Sequence, residues 1–213
     1  MQTQDLISRL ATDLAPVSPN AVSRALNRAL VLGLAGNTAV LAGVYGIGSD
    51  MPEQMLTAGF WIKLAFPLGT IAAALTLAGR LARPGCPSRR AWLKALAPVA
   101  AMLAVTVALK MATPPELRLG LPLGETGIGG LAGIVLLSLP ALAAAMHAMK
   151  RLAPTRLVLT GAGIGLLAGA QGVFVYTLFR PASPGFMVDA WHVCAIPAVM
   201  GIGAILAPRI LRW

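Results

Sequence analysis

Six long apolar runs alternate with short polar segments along this chain. A run of about 20 apolar residues is long enough to cross the hydrocarbon core of a bilayer as an α-helix. The pattern therefore predicts an all-α, polytopic membrane protein built as a six-helix transmembrane bundle. The predicted spans are residues 29–48, 56–78, 91–111, 127–149, 157–179 and 186–207.

The stretch before the first run, residues 1–28, is polar and has a pattern of its own. Its apolar side chains recur at helical spacing, at Leu6, Ile7, Leu10 and Leu14. This predicts a short amphipathic helix, which Pro16 and Pro19 end because proline lacks the backbone N–H. Such a short helix is marginal in water, so its apolar stripe needs a partner: lipid headgroups, the rest of the chain, or another protein. Residues 1–28 are called the arm below.

Composition supports the membrane assignment. The chain has 213 residues, of which 57% are hydrophobic and only 11% charged, whereas soluble domains carry about 25% charged residues. The net charge of +10 comes from basic residues that lie between the apolar runs. Basic residues in that arrangement set membrane topology, so we predict no direct contact with nucleic acid.

The loop charges also predict an orientation. If the amino terminus is cytoplasmic, most of the 17 Lys and Arg residues fall in inside segments, while the outside loops hold the acidic residues that follow the arm. This asymmetry favours six spans with both termini in the cytoplasm.

A few polar residues lie within or beside the spans, and such residues are candidates for function. We expect Lys63 to extend toward the outer interface and Gln171 to hydrogen-bond to a neighbouring helix. Asp189, Trp191 and His192 cluster at the outer start of the sixth span. This cluster is predicted to be an interfacial anchor, with a proton or metal role for His192 and Asp189 as the alternative.

Glycines form a small-residue ridge on the fifth span, at Gly161, Gly165 and Gly169. Glycine at four-residue intervals lets a neighbouring helix approach closely. We expect ordinary packing within the bundle. The alternative is a self-association face in a homo-oligomer, for which Gly129 and Gly133 on the fourth span would be the mate.

Three phrases of the chain are more specific than its hydropathy. They are the opening QDLISRLATDLAPV, the connector LLSLPALAAAMHAMKRLAPTR, and the close SPGFMVDAW with RILRW. In these phrases the chain resembles the NrsF-type membrane anti-sigma factors, the negative regulators of sigma F, nearly end to end.

The resemblance implies a protein of the bacterial inner membrane that holds an extracytoplasmic-function sigma factor and releases it under stress. It also implies that the arm contributes to the sigma contact. The arm residues that map onto this contact are Asp5, Leu6, Ile7, Leu10 and Leu14.

The cysteines depart from the family pattern. Many members carry a cysteine just before the S-P-x-F stretch and another at the outer start of the fourth span, where this chain has Arg180 and the glycines of 127–130. Cys86 and Cys194 lie elsewhere, toward opposite sides of the predicted bundle, so no bridge is expected between them. We therefore transfer no redox role.

Two other functions compete with the regulatory one. A small transporter or channel would need polar residues converging from several helices near the bilayer centre, and no span carries a carboxylate there. A membrane enzyme acting on lipids or thiols would need a nucleophile and base, or metal-ligand spacing, which the sequence does not show. We accordingly predict no metal, no cofactor and no small-molecule substrate; the expected partners are a sigma factor and membrane lipids.

Overall fold

The structure, a computed structural model, describes residues 3, 20–46, 55–83, 85–112, 127–179 and 190–212. These residues form six long α-helices and no β-strand, which confirms the all-α prediction for the described part of the chain. The helices are α1 Ala21–Val44, α2 Ala58–Leu81, α3 Arg89–Ala112, α4 Gly127–Lys150, α5 Leu157–Phe179 and α6 Ala190–Ile210.

The helix bounds follow the apolar runs closely at some ends and not at others. Helix α5 spans the predicted residues 157–179. Helix α1 begins at Ala21, inside the range assigned to the arm, so the end of that range continues directly into the first helix. The predicted amphipathic helix, with Asp5, Leu6, Ile7, Leu10 and Leu14, lies outside the described residues.

Five of the described helices are long and apolar enough to cross a membrane: α1, α2, α4, α5 and α6. Their outer faces expose large apolar side chains, such as Val31 at 65% and Leu32 at 64% of their accessible area. Contiguous apolar surface of this kind marks contact with lipid or with another protein. The chain is therefore membrane-associated, while α3 as a further span stays a prediction.

Helix α5 lies at the centre of the bundle. Nearly every residue between Thr160 and Val175 is buried, and α5 contacts α1, α2, α4 and α6. Lipid tails are as apolar as the core, so helices in a bilayer associate through close packing of small residues. The glycine-rich sequence of α5 suits this central position.

The glycine ridge of α5 packs against α6. A Cβ added to Gly165 would lie 2.6 Å from the Met200 Cα atom, and one added to Gly169 would lie 3.2 Å from the Ile196 Cα atom. The ridge thus packs within the bundle, against α6 of the same chain, while the alternative of a self-association face stays a prediction. Gly133 of the fourth span lies beside the hydroxyl of Tyr45, the residue that follows α1.

Candidate functional site

Helix α1 begins within the last residues of the arm and docks on the bundle through one narrow stripe. The buried residues of α1, spaced three or four apart, are Leu26, Ala29, Gly33, Asn37 and Leu41. This spacing places them on one face of the helix. We call this face and the residues it touches the α1 seam. The rest of α1 is half-buried or exposed, so α1 is held by few contacts compared with α5.

Glycines bring α1 and α4 into close contact across the seam. A Cβ on Gly33 would lie 2.9 Å from the Ala141 Cα atom, and a Cβ on Gly36 would lie 2.7 Å from the Pro140 Cβ atom. Both distances are shorter than ordinary van der Waals contact, so only glycine permits this approach. The close approach places the α1 backbone against the helical turn of α4 that contains Pro140.

Asn37 makes a hydrogen bond across this contact. Its side chain is fully buried, and its Oδ1 atom accepts a hydrogen bond of 3.2 Å from the Ala141 N–H. Pro140 has no N–H and interrupts the helical hydrogen-bond ladder at this level. Asn37 therefore supplies an acceptor to the N–H that follows the proline, which joins α1 to α4 by a polar bond in the apolar interior.

Gln171 of α5 meets the seam at the same level. Its side chain is fully buried, and a Cβ on Gly33 would lie 2.6 Å from its Oε1 atom. The sequence predicted a hydrogen bond from Gln171 to a neighbouring helix. Among the described residues, however, neither its Oε1 nor its Nε2 atom has a partner, and the Asn37 Nδ2 atom also lacks one. The junction of α1, α4 and α5 thus concentrates unpaired amide groups.

Two other buried hydroxyl groups bond within their own helices, whereas the buried Thr160 Oγ1 and Trp92 Nε1 atoms have no hydrogen-bond partner among the described residues. The Ser138 Oγ donates to the Ile134 carbonyl at 2.7 Å, and the Thr70 Oγ1 donates to the Phe66 carbonyl at 2.9 Å. A buried amide group without a hydrogen-bond partner, by contrast, lowers the stability of the fold by about 1–3 kcal/mol. Three unpaired amide atoms meet at the α1 junction, so small changes in helix position there can gain or lose hydrogen bonds.

The structure places the remaining candidate residues apart from this junction. Lys63 is half-buried in the early part of α2. His192 is only 8% exposed, and its ring packs edge-on against Tyr176 of α5 at 5.3 Å between centroids. His192 therefore packs against α5, while the role of the cluster as an interfacial anchor stays a prediction. Asp189 lies outside the described residues, as does the side chain of Trp191.

The described residues show no redox or metal centre. Cys86 and Cys194 are both free and exposed. Within the described ranges, no group of three or more His, Cys, Asp or Glu side chains is placed to hold a metal ion. At the α1 seam, the described part of the chain brings together the amides of Asn37 and Gln171.

Sequence reasoning missed Asn37. Its signal was present, because an amide in the middle of an apolar run is a candidate for helix-to-helix bonding. What the sequence could not indicate was its pairing with the N–H after Pro140, more than a hundred positions away.

Comparison with known proteins gives consistent matches over the chain. The model of the NrsF family, described as negative regulator of sigma F, matches residues 10–213. A probable anti-sigma-F factor NrsF of Azospira oryzae is 32% identical, and the anti-sigma-F factor NrsF of Caulobacter vibrioides is 33% identical. Each alignment covers 100% of both chains. No solved structure matches the chain.

Proposed function

Because this chain belongs to the NrsF family, the negative regulators of sigma F, we propose that it holds an extracytoplasmic-function sigma factor at the inner face of the bacterial membrane and releases it on a stress signal. The protein is an anti-sigma factor, so its role is regulatory rather than catalytic. The observation that carries the proposal is the full-length match to two anti-sigma-F factors.

The arm is the segment that we assign to the sigma contact. It is the long polar stretch outside the predicted spans, and its apolar stripe suits a groove on a soluble protein, as amphipathic helices commonly do. With both termini in the cytoplasm, as the loop charges favour, the arm faces the compartment in which sigma factors act. Asp5, Leu6, Ile7, Leu10 and Leu14 are the proposed contact residues.

Helix α1 is the proposed route from the bundle to the arm. It begins at Ala21, directly after the arm's prolines, so a shift of α1 moves the point to which the arm is attached. The α1 seam is narrow and holds unpaired amides at Asn37 and Gln171. A second position of α1 that paired these amides would lie within a few kcal/mol of the first. A signal that favours one position would then make the arm available or unavailable.

Co-purification tests the proposed function. The full-length protein in detergent is expected to retain the sigma factor encoded beside its gene, and a chain lacking residues 1–19 is expected to lose it. The helices of α1 to α6 remain in the truncated chain, so loss of the sigma factor would be assigned to the arm. A full-length chain that retains no sigma factor contradicts the proposal, and equal retention by the truncated chain removes the arm from it.

Gln171→Met is expected to stabilise the bundle. Methionine has nearly the shape of glutamine but no amide, so the variant removes two unpaired polar atoms and gains about 1–3 kcal/mol. At about 2–4 °C per kcal/mol for a chain of this size, the thermal midpoint in detergent rises measurably. If α1 moves through this junction, the variant also releases its sigma factor less readily.

Two variants control this measurement. Thr76→Val removes an exposed hydroxyl that bonds only within α2, to the Ala73 carbonyl, and is expected to change the thermal midpoint little. Asn37→Ala removes the bond to Ala141 and leaves a void, so it should lower the midpoint. A lower midpoint in Gln171→Met would mean that the Gln171 amide is paired after all.

A further inference from the structure

The loops that precede α3 and α5 meet at a cavity of about 400 Å³. Its lining residues are Pro87, Ser88, Arg89, Trp92, Arg156 and Leu159. Arg89 is the first residue of α3 and Arg156 directly precedes α5, so the cavity is lined by two arginines from distant parts of the sequence. Loop charges place these helix ends on the cytoplasmic side.

We propose that this cavity binds the phosphate headgroup of an anionic phospholipid. The inference goes beyond the anti-sigma role and does not rest on it. Basic cavities between membrane helices on the cytoplasmic side suit such headgroups, and the forked guanidinium of arginine matches phosphate oxygens in geometry and charge.

No acidic side chain among the described residues balances the two arginines of the cavity. Within the described part of the chain, neither the Arg89 nor the Arg156 guanidinium has a hydrogen-bond or ion-pair partner. The described ranges contain no Asp or Glu residue. Nearby Arg80 differs, because its Nη1 atom donates to the Pro87 carbonyl at 3.4 Å. An anionic ligand would supply the counter-charge that the described residues do not.

Trp92, which also lines the cavity, carries an unused hydrogen-bond donor. Its Nε1 atom is buried and has no hydrogen-bond partner among the described residues. The indole N–H can only donate, so an acceptor such as a phosphate oxygen would satisfy it. Because α3 begins at this point, its first backbone N–H groups also favour an anion, which adds to the site without defining it.

The walls of the cavity favour a lipid over a soluble anion. Pro87, Trp92 and Leu159 make most of its lining apolar, and Leu159 is 40% exposed toward the outer surface of the bundle. Leu93, the next residue on α3, is 65% exposed. A phosphate held by the two arginines would therefore have apolar surface directly below it, along which an acyl chain can lie.

The test uses the full-length protein in phosphatidylcholine bilayers with and without phosphatidylglycerol. Bound phosphatidylglycerol is measured by mass spectrometry after purification in about 0.5 M NaCl, which screens non-specific attraction. Arg89→Gln with Arg156→Gln is expected to weaken retention about tenfold or more, because two charge-assisted hydrogen bonds are lost. The control is Arg90→Gln with Arg151→Gln, which removes the same amount of charge from two exposed arginines that do not line the cavity. It should change phosphatidylglycerol retention less than about twofold.

Two further measurements keep the proposal falsifiable if the double variant does not fold. Trp92→Phe keeps the ring and removes the N–H, and should weaken phosphatidylglycerol retention about threefold. Inorganic phosphate should not displace the lipid. Equal losses of lipid retention in the two arginine double variants would show a diffuse surface attraction. Displacement of the lipid by inorganic phosphate would show a soluble-anion site. Loss of sigma-factor retention with unchanged lipid binding would assign this surface to the protein partner. Each of these three results overturns the lipid site.

Discussion

Leu10→Asp is expected to abolish retention of the sigma factor while leaving membrane insertion unchanged. Leu10 lies at the middle of the apolar stripe of the arm, between Leu6 and Leu14. Losing a central apolar anchor costs an interface at least about 2 kcal/mol, and the buried charge adds to that cost. Retention should therefore fall about 100-fold or more. Insertion does not change, because residue 10 precedes the predicted spans.

The matched control for this variant is Thr12→Asp. It adds the same charge to the same predicted helix, but on the face opposite the stripe at 3.6 residues per turn. Pull-down of the sigma factor with solubilised membranes measures retention, and membrane fractionation measures insertion. Retention by Leu10→Asp at the level of the unchanged chain would show that the stripe is not the contact. Equal loss in both variants would point to the added charge rather than to docking.

Gly165→Ala is expected to destabilise the bundle by about 2–3 kcal/mol. The added methyl group would lie 2.6 Å from the Met200 Cα atom and 2.5 Å from the Val199 carbonyl oxygen. Both are backbone atoms of α6, so no side-chain rotation can relieve the overlap and the two helices must separate. Because α5 is the central helix, its separation from α6 disturbs packing on several sides.

Gly201→Ala supplies the control on the partner helix. Gly201 is also inside a long helix, but a Cβ there meets nothing within 4 Å. Alanine normally stabilises a helix interior by about 0.5–1 kcal/mol relative to glycine, so this variant should be as stable as the unchanged chain or more so. Unfolding in detergent, followed by circular dichroism, compares the two. A Gly165→Ala protein as stable as the Gly201→Ala protein would mean that α5 and α6 are not in such close contact.

The helices could be predicted from the sequence because hydropathy is a local property. The predicted residues 157–179 match α5, and the predicted residues 127–149 match α4 to within one residue. The start of α1 was harder to predict. Residues 21–28 include the charged side chains of Arg24 and Arg28, so the hydropathy pattern assigned them to the polar arm. In the structure they belong to α1.

The partners of the helix faces could not be predicted in the same way. The glycine ridge from Gly161 to Gly169 was visible in the sequence, but the sequence did not indicate that α6 is the helix it packs against. His192 is buried against Tyr176, a contact that the sequence did not indicate. Small residues and polar residues occur on several spans, so their spacing on one helix does not say which neighbour they meet.

The order of residues alone gives the number, approximate length and apolar character of the helices. It also gives the family phrases at both ends of the chain. The junction of Asn37 and Gln171 and the cavity between Arg89 and Arg156 required the assembled fold. The reason is that lipid and protein interior are both apolar. Hydropathy therefore separates spans from loops but cannot separate the buried face of a span from its lipid-facing side, and only the packing of one helix on another makes that distinction.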